Sequence, residues 1–121
     1  MMKILVVDDE AETREILKVF LESEGYNVSL LEKGENVIKT IASEIFSLVL
    51  LDIRLPDVDG IELLKKIQKI DAELPIMMIT GYKDAEKVIE AFREGARDCI
   101  LKPFNFEYMK TKIVSEARKL S

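Results

Sequence analysis

SLVLLDIRLPDVDG, residues 47–60, runs four apolar side chains, Leu48, Val49, Leu50 and Leu51, straight into a carboxylate, Asp52. A short apolar run without alternation is the pattern of a strand buried on both faces, as in the middle of a parallel sheet. Asp52 is therefore expected at the carboxyl end of a central strand, the rim at which open α/β sheets bind ligands. Pro56, Asp57, Asp59 and Gly60 follow as a loop, because proline presets φ while Gly and Asp accept tight turns. One aspartate after a strand is more often a helix cap or turn former than a site. Other strand ends must converge on it to change that.

The flanking sequence repeats the pattern. KILVV (3–7) is a first buried strand ending in Asp8, Asp9 and Glu10. Ile16, Leu17, Phe20 and Leu21 recur at helical spacing, and Gly25 stops that helix. Residues 27–31 make a shorter strand, and Val37, Ile38, Ile41 and Ala42 mark a helix after Gly34. The central strand leads to a helix carrying Ile61, Leu64, Ile67 and Ile70. Pro75 opens the strand IMMIT (76–80), and Val88, Ile89 and Phe92 belong to a helix that stops at Gly95. Residues 98–101 form the last strand, broken by Lys102-Pro103, and Phe106, Met109, Ile113, Ala117 and Leu120 give a closing helix. Five strands alternating with five helices predict an α/β fold with a parallel sheet covered on both faces, one domain over 1–121. Right-handed crossovers leave only a few doubly wound orders.

Composition narrows the function. A net charge of −5 argues against direct nucleic-acid binding, which needs clustered Lys and Arg. One cysteine excludes an internal disulfide and fits a reducing cytoplasm, the expected location. No apolar stretch approaches a membrane span, and MMKILVV enters a strand without the long apolar region of a signal peptide. The absence of histidine removes His-based zinc sites, His acid/base catalysis and a phosphohistidine on this chain.

The strand ends carry Asp8 and Asp9 (first), Asp52 (third), Thr80 (fourth) and Lys102 (fifth), while the second ends in Leu31-Glu32 and suits an edge. Three carboxylates at one rim repel one another and call for a cation. Oxygen ligands without His or Cys select a hard ion, Mg²⁺ first, with Mn²⁺ as its substitute. By themselves Asp8 and Asp9 read as a helix cap; beside Asp52 they read as ligands. Lys102 adds a fixed cation, Thr80 a hydroxyl donor, and Gly81 no side chain to crowd the space. Together these groups suit a phosphoryl group, with a carboxylate available as nucleophile. Cys99 reads as core rather than as a reactive thiol.

VVDDE (6–10), LVLLDIRLPDVDG (48–60), MITG (78–81) and LKPF (101–104), in this order and spacing, resemble the receiver domain of two-component response regulators over essentially the whole chain. The resemblance implies the flavodoxin-like (βα)5 fold with strand order 2-1-3-4-5. It implies a phosphoacceptor signalling domain, not a true enzyme, in which Asp52 takes a phosphoryl group from a histidine on a sensor kinase or phosphotransfer protein. Asp9 and Asp52 would ligate Mg²⁺ directly and Asp8 through water, with the Arg54 main-chain carbonyl completing the set. Thr80 and Lys102 would contact the phosphoryl oxygens, and the Lys102–Pro103 bond would be cis. The signal would pass through the face of the fourth helix, fifth strand and fifth helix to an output domain or effector, or to a phosphorylation-dependent dimer. Arg54 and Tyr82 would flank the path of the attacking water. One departure stands out: Cys99 occupies the usual place of the switch aromatic.

Three other readings compete. A flavin-binding electron carrier on the same fold needs a Ser/Thr/Gly-rich phosphate loop where Asp8, Asp9 and Glu10 stand. A Mg²⁺-dependent aspartyl-phosphate phosphatase generally carries a second Asp two residues past the nucleophile, where this chain has Arg54. A degenerate receiver that only binds partners would not need the complete set of Asp, Thr and Lys.

Overall fold

The computed structural model of the chain describes residues 2–81 and 84–119. The apolar runs form β1 (Lys3–Val7), β2 (Asn27–Leu31), β3 (Leu48–Asp52), β4 (Ile76–Thr80) and β5 (Asp98–Leu101). All pair in parallel, in the order β2-β1-β3-β4-β5. β3 and β4 are buried at every residue, as unalternating apolar strands should be, whereas β2 and β5 at the edges are partly exposed.

Five helices cover the sheet: α1 (Ala11–Ser23), α2 (Val37–Ser43), α3 (Gly60–Ile70), α4 (Ala85–Arg93) and α5 (Phe106–Glu116). A 3₁₀ turn (Gly34–Asn36) leads into α2. Strand side chains alternate between two cores. Ile4, Val6, Leu48, Leu50, Met77 and Ile79 meet Leu17 and Leu21 of α1 and Met109 and Ile113 of α5. Leu5, Val7, Val49, Leu51, Ile76 and Met78 face the other way, against α2, α3 and Ala91 of α4.

The helices differ from the expectation in detail. Ile16, Ile70, Ile89 and Phe92, which helped signal helical spacing, are exposed; α4 rests on Ala91 and half-buried Val88 instead. The closing helix ends at Glu116, so Ala117 lies beyond it, although Ala117 still packs on the core; Leu120 lies outside the described residues. There the chain is caught by Arg118, whose guanidinium donates to the Phe46 carbonyl at 2.9 Å and to Asp71 at 2.8 and 3.2 Å. Among the described residues, no helix is long and apolar enough to cross a membrane.

Candidate functional site

β1 delivers Asp8 to the carboxyl rim, and the start of α1 determines how its carboxylate is used. The residue before α1 is Glu10, and its side chain makes no capping bond, so the helix-cap reading of the acidic run is not met. Asp8 Oδ1 instead accepts from the Glu10 amide at 2.8 Å. Asp8 Oδ2 is buried and finds no hydrogen-bond partner among the described residues; Lys102 Nζ rests 2.9 Å away as an ion-pair contact.

Asp52 ends β3 at 6% exposure. Its Oδ1 accepts from the Arg54 amide at 2.9 Å, and its Oδ2 stands 3.5 Å from Lys102 Nζ. The backbone is held in this place by Gly60, whose amide donates to the Ile53 carbonyl at 2.8 Å. A Cβ at Gly60 would lie 2.3 Å from the Asp52 carbonyl oxygen, so only glycine lets α3 start this close to the strand end. The other loop acids serve structure: Asp59 caps α3 by accepting from the Ile61 amide, and Asp57 accepts from the Gly34 amide. Burial, with the nearby Asp8, pushes the Asp52 carboxyl up to about 7, against the Arg54 amide and Lys102, which pull it down.

Lys102, following β5, is the counter-charge. Its Nζ donates to Glu10 Oε1 at 2.7 Å while also facing Asp8 and Asp52. Burial alone would lower the ammonium pKa, but the hydrogen bond to Glu10, the close ion-pair contact with Asp8 and the charge of Asp52 together raise it.

Thr80 ends β4, buried, but it does not line the cleft. Its Oγ1 lies 3.1 Å from Asp84 Oδ2 and 3.0 Å from the Gly81 carbonyl. The Arg54 guanidinium is likewise engaged, with Nε donating to Asp84 Oδ1 at 2.8 Å and Nη2 to the same oxygen. The Arg54 hydrogen bond first, and that of Thr80 against the cost of burial, hold the Asp84 carboxyl below the usual carboxylate range. Among the described residues, a Cβ at Gly81 would meet nothing within 4 Å. Tyr82, the other residue expected beside the water path, lies outside the described residues.

A cleft of about 500 Å³ is lined by Asp9, Glu10, Asp52, Arg54, Gly81, Asp84 and Lys102. Carboxylate oxygens of Asp8, Glu10 and Asp52 lie within 4.8 Å of one another. An all-oxygen set with a buried, unbonded carboxylate oxygen fits a hard divalent ion. Asp9, expected as a direct ligand, lines the cleft but is exposed and outside this cluster; Glu10, drawn in by Lys102, stands in its place. Glu10 and Asp84 are the residues that sequence reasoning did not carry into the site. The acidic run extending to Glu10 was a visible signal; Asp84, just before a helix, reads as an ordinary cap. Cys99 is half-buried against the core, and burial, then Asp98, pushes its thiol up to about 11. The Lys102–Pro103 bond is cis.

The model for the response regulator receiver domain matches residues 4–114. The transcriptional regulatory protein ZraR of Escherichia coli is 36% identical over 110 residues, 91% of this chain and 25% of that protein. FixJ of Bradyrhizobium diazoefficiens, a transcriptional regulatory protein, is 34% identical over 116 residues, 96% of this chain and 57% of that one. The chain thus spans between a quarter and about half of these relatives. Among solved structures, a CheY-like receiver domain protein from Methanospirillum hungatei superposes with a TM-score of 0.89 at 36% identity, covering 95% of this chain and 92% of that one. The receiver domain of NtrX from Brucella abortus gives 0.89 at 35% identity, covering 93% and 96%.

Proposed function

This chain belongs to the response regulator receiver domain family, and on that premise we propose that Asp52 accepts a phosphoryl group from a phosphohistidine of a sensor kinase or phosphotransfer protein. A carboxylate oxygen of Asp52 forms the new O–P bond as the P–N bond breaks, and the histidine nitrogen keeps the electron pair. The observation that carries this reading is the position of Asp52, a shielded carboxylate at a central strand end with Oδ2 3.5 Å from Lys102 Nζ. Lys102 would neutralise phosphoryl oxygens, and Thr80 would donate a hydrogen bond to them once it leaves Asp84.

We assign Mg²⁺, or Mn²⁺ in its place, to Asp9, Asp52 and the Arg54 carbonyl directly and to Asp8 through water; Asp9 would turn in from the cleft wall, and Glu10, which holds that place, would remain the counterion of Lys102. Bound there, the ion offsets the repulsion between a carboxylate nucleophile and an anionic phosphoryl group. The chemistry is self-directed, phosphotransfer onto Asp52 and later hydrolysis, without turnover of an external substrate. A phosphatase reading needs a general acid two residues past Asp52; Arg54 stands there, paired with Asp84. A flavin phosphate would meet the Asp8–Glu10 carboxylates. Output passes through the face of α4, β5 and α5 to an output domain, an effector or a second copy, in the cytoplasm.

Incubation with acetyl phosphate and Mg²⁺ should add one phosphoryl mass that hydroxylamine removes. Asp52→Asn should abolish the addition, and EDTA should suppress it. Addition to the Asn variant at the wild-type rate would overturn the assignment.

A further inference from the structure

Asp84 does not do what its position prescribes. An aspartate or asparagine before the first turn of a helix ordinarily accepts a backbone amide there, as Asp59 does for α3 (2.8 Å) and Asn105 for α5 (3.0 Å). Asp84 occupies the same position for α4 and makes no such bond. Its carboxylate is 7% exposed and is spent sideways on two groups: the Thr80 hydroxyl at Oδ2, and the Arg54 guanidinium at Oδ1. Arg54 is itself 73% exposed and forms the cover over Asp84 rather than part of the core. Asp84 and Asp52 line the same cleft.

We propose that Asp84 is a positioning residue of the phosphoryl site, holding Thr80 and Arg54 until phosphoryl oxygens on Asp52 outcompete it, after which its freed carboxylate caps α4. The inference rests on the phosphoacceptor reading. A phosphoryl group offers three acceptor oxygens and nearly two charges against the single charge of Asp84, so both donors gain by changing partner. The Thr80 hydroxyl has one proton, already shared between Asp84 Oδ2 and the Gly81 carbonyl, and cannot serve a phosphoryl oxygen as well. Release leaves a carboxylate beside the unsatisfied amides of the first turn of α4, where a side-chain cap is stabilising. Partner exchange at Asp84 thereby couples Asp52 to α4 without an aromatic at position 99. Coupling is reciprocal, so the hold exerted by Asp84 weakens phosphoryl binding by as much as its release gains.

The test is a titration of the whole chain with beryllofluoride and Mg²⁺, a phosphoryl mimic, followed by amide NMR, with Asp52→Asn as the blank. Asp84→Asn keeps an equally good cap but loses the charge that holds Arg54 and Thr80. Its apparent affinity should tighten about tenfold, the worth of one charge-assisted hydrogen bond. Asp84→Ala should tighten binding similarly while shrinking the beryllofluoride-dependent shifts of residues 85–88, because no cap can form. Unchanged affinity in a folded Asp84→Asn overturns the proposal even if Asp84→Ala unfolds. Undiminished shifts in a folded Asp84→Ala overturn the capping half. If wild type takes up no beryllofluoride, the phosphoacceptor reading falls and the proposal with it.

Discussion

Lys102 faces three carboxylates, at 2.7 Å to Glu10, 2.9 Å to Asp8 and 3.5 Å to Asp52. Removing it leaves the Asp8 charge buried without its counter-charge, and breaking such a pair from one side is costly. Because the Lys102 side chain is partly exposed, we expect Lys102→Ala to lose about 2 kcal/mol in EDTA, less than a fully buried pair would. Mg²⁺ should restore more stability to this variant than it adds to wild type, read as the shift in urea midpoint. Equal Mg²⁺ shifts in both proteins would show that Lys102 and the ion do not answer the same charges. Asp8, Asp52, Thr80 and Lys102 were legible because each sits where an apolar run stops. Glu10 was visible only as the end of the acidic run and Asp84 only as a residue before a helix, because their roles depend on which partner the folded chain brings alongside: Lys102 from 92 residues away, and Arg54 from 30. Cys99, with its thiol pushed up to about 11, should resist iodoacetamide at pH 7.5 in native protein and react once unfolded.

Two junctions hold the elements that carry the site. The first is the start of α3 against the end of β3. In Gly60→Ala the new Cβ would meet backbone, 2.3 Å from the Asp52 carbonyl oxygen and 2.7 Å from Ile53 Cα, so the strand end or the helix must shift. The expected loss is about 3 kcal/mol, at the upper end for overpacking, with slowed acetyl phosphate labelling at Asp52. Wild-type labelling in a folded Gly60→Ala would show that the loop has slack. The second junction ties the chain after α5 to Asp71 and the Phe46 carbonyl through Arg118. The Arg118 hydrogen bonds, against partial burial, hold the Asp71 carboxyl below its ordinary value of 3.8. A depressed carboxylate contributes stability above the unfolded pKa and loses it as pH falls through the folded one. Asp71→Asn should therefore cost about 1 kcal/mol at pH 7 and progressively less below about pH 4. A constant difference from pH 7 to pH 3 would contradict the ion pair. This junction had no sequence signal, because Arg118 follows the apolar repeat of α5 and its partners lie in two distant loops. The helical spacing extended α5 through Leu120, whereas the observed helix ends at Glu116.

At the scale of the molecule, the sheet order was legible only through the family resemblance; the strand runs alone supported a parallel, doubly wound class. They worked because burial on both faces leaves β3 and β4 no polar positions. They could not tell which apolar residues of a helix face inward. α4 shows this, since its exposed residues Ile89 and Phe92 join Leu101 of β5 and Tyr108 of α5 as apolar groups in contact with solvent. β5 is also an edge strand, so the face it shares with α4 and α5 has unpaired backbone to offer. If phosphorylation resets α4, this is the face that changes, and a second copy of the chain would find the same apolar groups on it. Sedimentation with and without beryllofluoride and Mg²⁺ should show a monomer becoming a dimer. Leu101→Lys or Ile89→Lys should keep the beryllofluoride-dependent amide shifts around Asp52 while holding the chain monomeric, because a charge put among apolar groups is costly to bury. A dimer that survives both substitutions would have to form elsewhere, and the route from Asp52 through α4 would then end without an output on this face.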